Sequence, residues 1–331
     1  MKKLFKILGY LVLVIFIILG GLITYVKTAL PNVGDAPALT IERTPERIER
    51  GKYLANHVSM CINCHSERNW SRFAGPVVES TIGRGGEKFD QKVGLPGVYF
   101  SKNITPSGIS RYSDGELFRV ITTGVTKEGN ALFPLMPYSH YGKMDPEDIY
   151  SIIAYIRSLA PIEFKTEESV SDFPMNIILN TIPVKATPGK KPDASNVQVY
   201  GAYMVNAAGC ILCHTQENKG EIIKELAFSG GREFLFPDGS IVRSANITPD
   251  QNTGIGNWTQ DAFVNRFRAY ADSGYKSPMV EKGAYNTVMP WTSYAQMTRE
   301  DLTAIYTYLR SVKPMQNTVV KFTPAASVVK K

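Results

Sequence analysis

The sequence predicts a mainly α-helical protein in which one N-terminal transmembrane helix is followed by two tandem helical domains. Three observations predict it: Ile7 to Val26 carry no charge, the second half of the chain restates the first, and apolar residues late in each half recur at helical spacing. No sustained period-two alternation argues for a large sheet. The 331 residues are 44% hydrophobic and 20% charged, with 20 Pro and 27 Gly. That composition is globular, excludes disordered, collagen-like and disulfide-dense classes, and allows roughly two domains. The formal net charge is +7, but Lys2, Lys3 and Lys6 stand ahead of the apolar stretch and the remaining excess is scattered, so no nucleic-acid partner is expected.

The apolar stretch, as a helix rising 1.5 Å per residue, spans about 30 Å, the thickness of a bilayer's hydrocarbon core. A cleaved signal peptide has a shorter apolar region, about 7–15 residues, before its small-residue site. Ala36-Pro37-Ala38 lies well beyond Val26 and carries Pro at its centre. Residues 1–30 are therefore expected to be a cytoplasmic stub and a retained anchor. The three lysines before the span, against Lys27 alone just after it, place the N-terminus in the cytoplasm and everything from about residue 30 onward on the outer side of the membrane. A single helix without an ionisable residue is a tether, not an ion path.

Beyond the anchor the halves match in detail. Gly51-x-Tyr53-x-x-Asn56 answers Gly201-x-Tyr203-x-x-Asn206, and Asn-Ile-Thr-Pro begins at both Asn103 and Asn246. Met136-Pro137 answers Met289-Pro290, and Tyr155-Ile156-Arg157-Ser158 answers Tyr308-Leu309-Arg310-Ser311. These matches bound one domain at 41–160, a second at 197–315, and a tail at 316–331. Thr44-Pro45 opens a helix toward Tyr53, and Gly51 and Gly201 leave room for a close helix crossing. The last helix of each half places apolar residues at 149, 152, 153, 156 and 159, and again at 302, 305, 306, 309 and 312, on one face. Asp145-Pro146 and Thr298 with Asp301 supply their starts. The connector, 161–196, with its apolar centre Phe173 to Val184, reads as a strap across a domain surface.

The four cysteines fall in two pentads, Cys61-Ile-Asn-Cys64-His65 and Cys210-Ile-Leu-Cys213-His214. Cys-x-x-Cys-His is the attachment signature of c-type haem: the two thiols form thioethers with the porphyrin and the adjacent His is delivered to the iron. A redox disulfide would need a βαβ context that is missing, and a zinc site would need its cysteine pairs much closer in sequence. Two covalently bound c-type haems are therefore expected, on Cys61 and Cys64 with His65, and on Cys210 and Cys213 with His214. His57 and His140 face Ala207 and Ser293 in the repeat, so neither is a shared sixth ligand. Met136 and Met289 are repeat-matched and each precedes a proline, which keeps the thioether on an extended loop; they are the expected sixth ligands. Met144 and Met297, also matched, are expected to pack at the start of the last helix, and Met60, facing Gly209, to pack as well.

On these residues the chain resembles a membrane-anchored dihaem cytochrome c with two tandem class I cytochrome c domains. The stretch NITPDQNTGIGNWTQDAFVNRFR (246 to 268), followed by Val288-Met289-Pro290-Trp291, is similar to modules of the cytochrome c subunits of bacterial membrane-bound alcohol and gluconate dehydrogenases. The resemblance implies a Pro carbonyl that orients the haem His through its second ring nitrogen, for which Pro76 in Phe73-Ala74-Gly75-Pro76 is the counterpart. Phe228-Ser229-Gly230-Gly231 would supply a non-proline carbonyl in the second half. It also suggests that Asn103 and Asn246 contact a haem propionate or brace its cleft, against which stands the reading of ordinary turns. Tyr112 and Trp258, and Tyr138 and Trp291, either line the haems or pack in the core.

An iron held by His and Met has no open position for a substrate, so such a site exchanges electrons. The expectation is an electron carrier rather than an enzyme, receiving electrons from a dehydrogenase or membrane donor and passing them to a terminal oxidase or another cytochrome. The alternatives are a dihaem peroxidase-like enzyme and a haem-based redox sensor.

Overall fold

The computed structural model describes residues 1–272 and 274–325, so the part of the expected tail beyond 325 lies outside the described residues. The chain is helix-rich. Its first helix, α1 (Lys2–Thr28), is long and apolar enough to cross a membrane, with a mean hydropathy of 2.8 over its most apolar window. Apolar side chains along it from Leu4 to Tyr25 are exposed, and only Val26, at its end, is buried.

In the N-terminal half, α2 (Pro45–Tyr53) starts at Thr44, whose side chain accepts from Arg47 N. It runs into a wide turn, Leu54–Val58, closed by Ser59 N donating to Leu54 O five residues back at 2.7 Å. Then come α3 (Cys61–Cys64), α4 (Pro106–Ile109), α5 (Asp114–Thr123), α6 (Tyr138–Tyr141) and α7 (Pro146–Ser158). The start of α5 is a reciprocal cap between Ser113 and Glu116, and that of α7 is capped by Asp145. The connector holds α8 (Met175–Ile178). The C-terminal half has α9 (Val197–Ala207), α10 (Cys210–His214), α11 (Gln260–Arg268), α12 (Trp291–Tyr294) and α13 (Arg299–Ser311), the last capped by Thr298 accepting from Asp301 N.

The glycines explain the central packing. A Cβ on Gly51 would lie 1.8 Å from Ser151 O, and one on Gly201 would lie 2.0 Å from Ala304 O, so α2 rests directly on α7 and α9 on α13. The expected faces are inward: Ile149, Ile152, Ile153 and Ile156 on α7, and Leu302, Ile305 and Leu309 on α13, are buried. Leu159 and Val312, expected as the last apolar position of each face, sit one step beyond the helix as extended C-caps. The hydrophobic core is continuous, joining Leu54, Met144 and Ile153 to Met204, Met297 and Leu302.

Short antiparallel strands, which the mainly helical expectation did not locate, complete the fold. β1 (Lys88–Phe89), β2 (Gly97–Phe100) and β3 (Val170–Ser171) form one small sheet, β4 (Glu217–Asn218) and β5 (Glu221–Ile222) a hairpin, and β6 (Glu233–Leu235), β7 (Ile241–Arg243) and β8 (Phe322–Thr323) another sheet. Strands of two to four residues are too short to leave a period-two signature. In both halves the chain that follows the last helix returns to a strand: β3 pairs with β2, and β8 with β7.

The halves meet along α2, α7, α9 and α13 through matched polar contacts. Tyr53 donates to Asp301 and Tyr203 donates to Asp148 (2.6 Å), each tyrosine on one half and each carboxylate on the other. Asn206 Nδ2 donates to His140 O at 3.0 Å, while His57 Nδ1 lies 3.2 Å from Ser293 O. A second seam lies away from the helices. The loop 69–74 is stitched to 277–286 by Phe73 N donating to Pro278 O (2.9 Å) and by the buried Asn286 amide, which takes Ala74 N and reaches Trp70 O and Arg72 O.

Candidate functional site

Each pentad forms a one-turn helix entered through a residue with left-handed backbone. Gly209, φ 66°, meets that demand without strain, whereas Met60, φ 53°, holds it at a cost of about 1–2 kcal/mol. Met60 also packs against the core, as expected of it. All four cysteines are unbridged; Cys64 is exposed and the other three are half-exposed. The protein mass around Cys61 and Cys210 desolvates their thiols and pushes them up to about 12, so they stay neutral at ordinary pH. Among the described residues no group of three or more His, Cys, Asp and Glu side chains is arranged to hold a metal ion.

The two pentad histidines are fixed in the same way. His65 Nδ1 lies 2.6 Å from Lys102 O, and His214 Nδ1 lies 2.7 Å from Ala245 O. A carbonyl can only accept, so Nδ1 carries the hydrogen and the Nε2 lone pair is left free. Burial lowers the pKa of both rings and keeps them neutral, against the opposing pull of the carbonyl. Each neutral ring is therefore able to serve as a nitrogen ligand.

The orienting carbonyl corrects the expectation drawn from the resemblance. Pro76 O accepts from Asn69 N (2.9 Å) and does not touch His65. His65 O accepts from Gly85 N and His214 O from Gly230 N, both at 2.8 Å, so Gly230 corresponds to Gly85 and not to Gly75. The slip arises because the bridge Arg68–Val77 encloses a longer loop than its counterpart Glu217–Ile222. The signal was present, since Lys102 and Ala245 each immediately precede Asn-Ile-Thr-Pro, but a backbone acceptor leaves no side-chain mark.

Asn103 and Asn246 are turn and bracing residues. Asn103 Oδ1 accepts from Thr105 N and Oγ1, while Nδ2 donates to Ile162 O and Phe164 O. Asn246 Oδ1 accepts from Thr248 N and Oγ1, while Nδ2 donates to Met315 O and Thr253 Oγ1. Each amide is thus fully used inside the protein. Together they tie the loop that carries the His-orienting carbonyl to the chain leaving the last helix.

Met136 and Met289 are half-buried on loops just before α6 and α12, and both border the hydrophobic core that Cys61 and Cys210 also border. Met144 and Met297 are fully buried within that core, which is the packing role expected of them. Two residues beyond Met136, Tyr138 is only 2% exposed and its hydroxyl finds no partner among the described residues. Trp291, the matched aromatic, stacks on Tyr270 with Arg266 over its ring at 4.2 Å. Trp258 is 39% exposed, so simple core packing does not describe it.

The charges near the pentads are exchanged between the halves. Beside Cys64 stand Arg68 and Glu87, and beside Cys213 stand Glu217 and Arg232, with the acid and base at swapped ladder positions. Arg232 pairs with Glu217 at 2.8 Å, and Glu87 accepts from Trp70 Nε1 at 2.7 Å. Burial raises the pKa of Cys64. Unpaired neutral thiols, free imidazole Nε2 atoms and an unpartnered buried hydroxyl beside Met136 are a donor set that fits a covalently held porphyrin.

No family model matches the chain. It is 26% identical over 299 residues to the cytochrome c subunit of an alcohol dehydrogenase (quinone) of Gluconacetobacter polyoxogenes, covering 85% of this chain and 59% of that one. It is 27% identical over 298 residues to the gluconate 2-dehydrogenase cytochrome c subunit of Pantoea cypripedii, covering 86% and 63%. A diheme cytochrome c-type protein of Cereibacter sphaeroides is 26% identical over 266 residues, covering 77% of this chain and 83% of its own length. The chain spans about three fifths of the length of the first two relatives. Over most of its length, therefore, the chain is similar to cytochrome c subunits of dehydrogenases and to a diheme cytochrome c.

Proposed function

We propose that this chain is a membrane-anchored dihaem c-type cytochrome that carries electrons. In this reading residues 41–160 and 197–315 are two tandem class I cytochrome c domains, joined by the connector 161–196. The helix α1 tethers them to the periplasmic side of a bacterial inner membrane. Cys61 and Cys64, and Cys210 and Cys213, hold the two haems through thioethers; His65 and Met136 ligate the first iron, and His214 and Met289 the second. The bound haems supply reversible one-electron exchange, at the relatively high potential that a thioether ligand favours.

The chain's own residues do the rest. The carbonyls of Lys102 and Ala245 orient the two imidazoles and raise their basicity as ligands. The proline after each Met keeps its thioether out of helical geometry. The contacts between Tyr53 and Asp301, and between Tyr203 and Asp148, hold the two sites at fixed separation, which electron passage between them requires. The donor is then a dehydrogenase, as the names of the relatives suggest, and the acceptor a terminal oxidase or another cytochrome.

The observation that carries the reading is the doubled Cys-x-x-Cys-His turn, in which each histidine is held by a backbone carbonyl with Nε2 free. Haem quantitation on the denatured, purified chain tests it. Two covalent haems are expected for the unaltered protein and one for Cys61→Ser/Cys64→Ser. Haem that is lost on denaturation, or one per unaltered chain, would refute the assignment.

A further inference from the structure

The connector carries an exposed apolar surface that the electron-transfer reading does not use. Residues 173–184 contain no charge, lying between Asp172 and Lys185. Phe173 is 79% exposed, and Ile178 and Val184 are exposed as well. Large apolar side chains left in water this close together mark an interaction surface rather than scatter.

Its position says what covers it. Lys27 Nζ, at the end of α1, donates to Asn176 O at 2.6 Å. Asn180 Nδ2 donates to Val26 O (3.2 Å) and Leu30 O (3.3 Å), so the connector satisfies carbonyls at and just beyond the end of the apolar helix. Tyr25 and Lys27 at that end are the residue types that settle at a membrane–water boundary. On its other side the connector is fixed to the body: β3 pairs with β2, Asp172 N donates to Pro96 O at 2.9 Å, and Gln91 Nε2 donates to Asp172 Oδ2 at 2.9 Å.

We propose that residues 173–184 form a collar lying in the interface of the bilayer that α1 crosses, with Phe173, Ile178 and Val184 set among the lipid headgroups and upper acyl chains. This inference rests on the reading of α1 as a membrane anchor. Amphipathic segments at this depth bury their apolar side chains while their backbone stays near the polar boundary. Because the collar is held both to α1 and to β2, it fixes the orientation of the folded body over the membrane, which a lone tether would leave free.

The test uses the full-length protein in phosphatidylcholine and phosphatidylglycerol nanodiscs. A nitroxide is placed by cysteine substitution at Phe173→Cys, at Leu13→Cys within α1, and at Lys313→Cys on the exposed surface of the body. The unsubstituted chain, treated in parallel, supplies the background. Relaxation by oxygen, which concentrates in lipid, is compared with relaxation by a water-soluble nickel chelate. The proposal expects the oxygen-to-nickel ratio at position 173 to lie between those at 13 and 313, and several-fold above that at 313. A bilayer signal at 13 with a water signal at 173 overturns the collar and leaves the anchor standing. Water signals at both positions overturn the anchor, and the collar with it.

Discussion

Tyr53 of the N-terminal half donates its hydroxyl to Asp301 of the C-terminal half, and its counterpart Tyr203 returns the contact to Asp148, the counterpart of Asp301. Each hydroxyl also accepts from the backbone N–H at or next to the cap of the helix it reaches, Tyr53 from Thr298 N at 3.1 Å and Tyr203 from Asp145 N at 3.3 Å. The exchange gives the interface an approximate two-fold character within one chain, and it locks helix starts that each half would otherwise leave to water.

Removing either hydroxyl should therefore loosen the contact between halves without touching a ligand. Tyr53→Phe and Tyr203→Phe are each expected to destabilise the protein by about 1.5–3 kcal/mol, the range for a hydrogen bond to a charged group. Denaturant unfolding measures the loss, and the optical spectrum of the folded protein should be unchanged. The milder effect is expected for Tyr203→Phe, because Asp148 keeps its bidentate bonds from Arg50 at 2.9 and 2.8 Å, whereas the Asp301 oxygen that Tyr53 reaches is not the one that Tyr200 holds.

The two helix crossings should be intolerant of a single methyl group. Gly51→Ala and Gly201→Ala each drive a Cβ into a backbone carbonyl oxygen that cannot rotate away. Each is expected to cost about 3 kcal/mol or more, at the upper end for overpacking. Thermal unfolding of the two variants checks this, and a change within the error of the parent would show that the helices are not in backbone contact.

Asp148 makes the interface sensitive to acid. Burial alone would raise its pKa, but the bidentate hydrogen bonds and charge of Arg50, with Tyr203 and Lys191, outweigh burial and hold it below the usual range. A carboxylate whose pKa is lower folded than unfolded contributes stability above the unfolded value, about 3.9, and loses it as pH falls through the folded value. Arg50→Met removes the dominant partner and raises the Asp148 pKa. The acid-unfolding midpoint, followed by far-ultraviolet circular dichroism, is expected to move to higher pH.

The methionines separate ligand from filler. Met136→Ala and Met289→Ala should each remove the methionine-to-ferric charge-transfer absorption of one haem and lower one reduction potential. Met144→Leu and Met297→Leu lie in the closed core and should change stability by less than about 1.5 kcal/mol with the spectrum intact. Optical spectra and potentiometric titration of the four variants decide it.

Much of this was legible in the sequence because the signals are local. Thr44, Asp145 and Thr298 are helix caps, Gly51 and Gly201 mark close crossings, and the isoleucines of α7 follow a 3.6 period. The strands were not legible, since β2 at four residues is the longest of them. Nor was the orienting acceptor of His65 and His214, a backbone carbonyl whose location depends on the loop between Arg68 and Val77. The Tyr53–Asp301 exchange was hidden in plain view: Tyr53 is matched to Tyr203 in the repeat and Asp301 marks a helix start, but neither signal says that one half's tyrosine reaches the other half's aspartate 248 residues away.

The central claim is that two closed His/Met sites, carried on two halves joined by paired tyrosine–aspartate contacts, make this chain an electron carrier. A redox titration of the purified full-length protein, followed optically and repeated under carbon monoxide, tests it most directly. The account predicts two one-electron steps, charge-transfer absorption from both oxidised sites, and no carbon monoxide adduct on reduction. A site that binds carbon monoxide readily and lacks that absorption would contradict it, and would make Met136 or Met289 the wrong ligand.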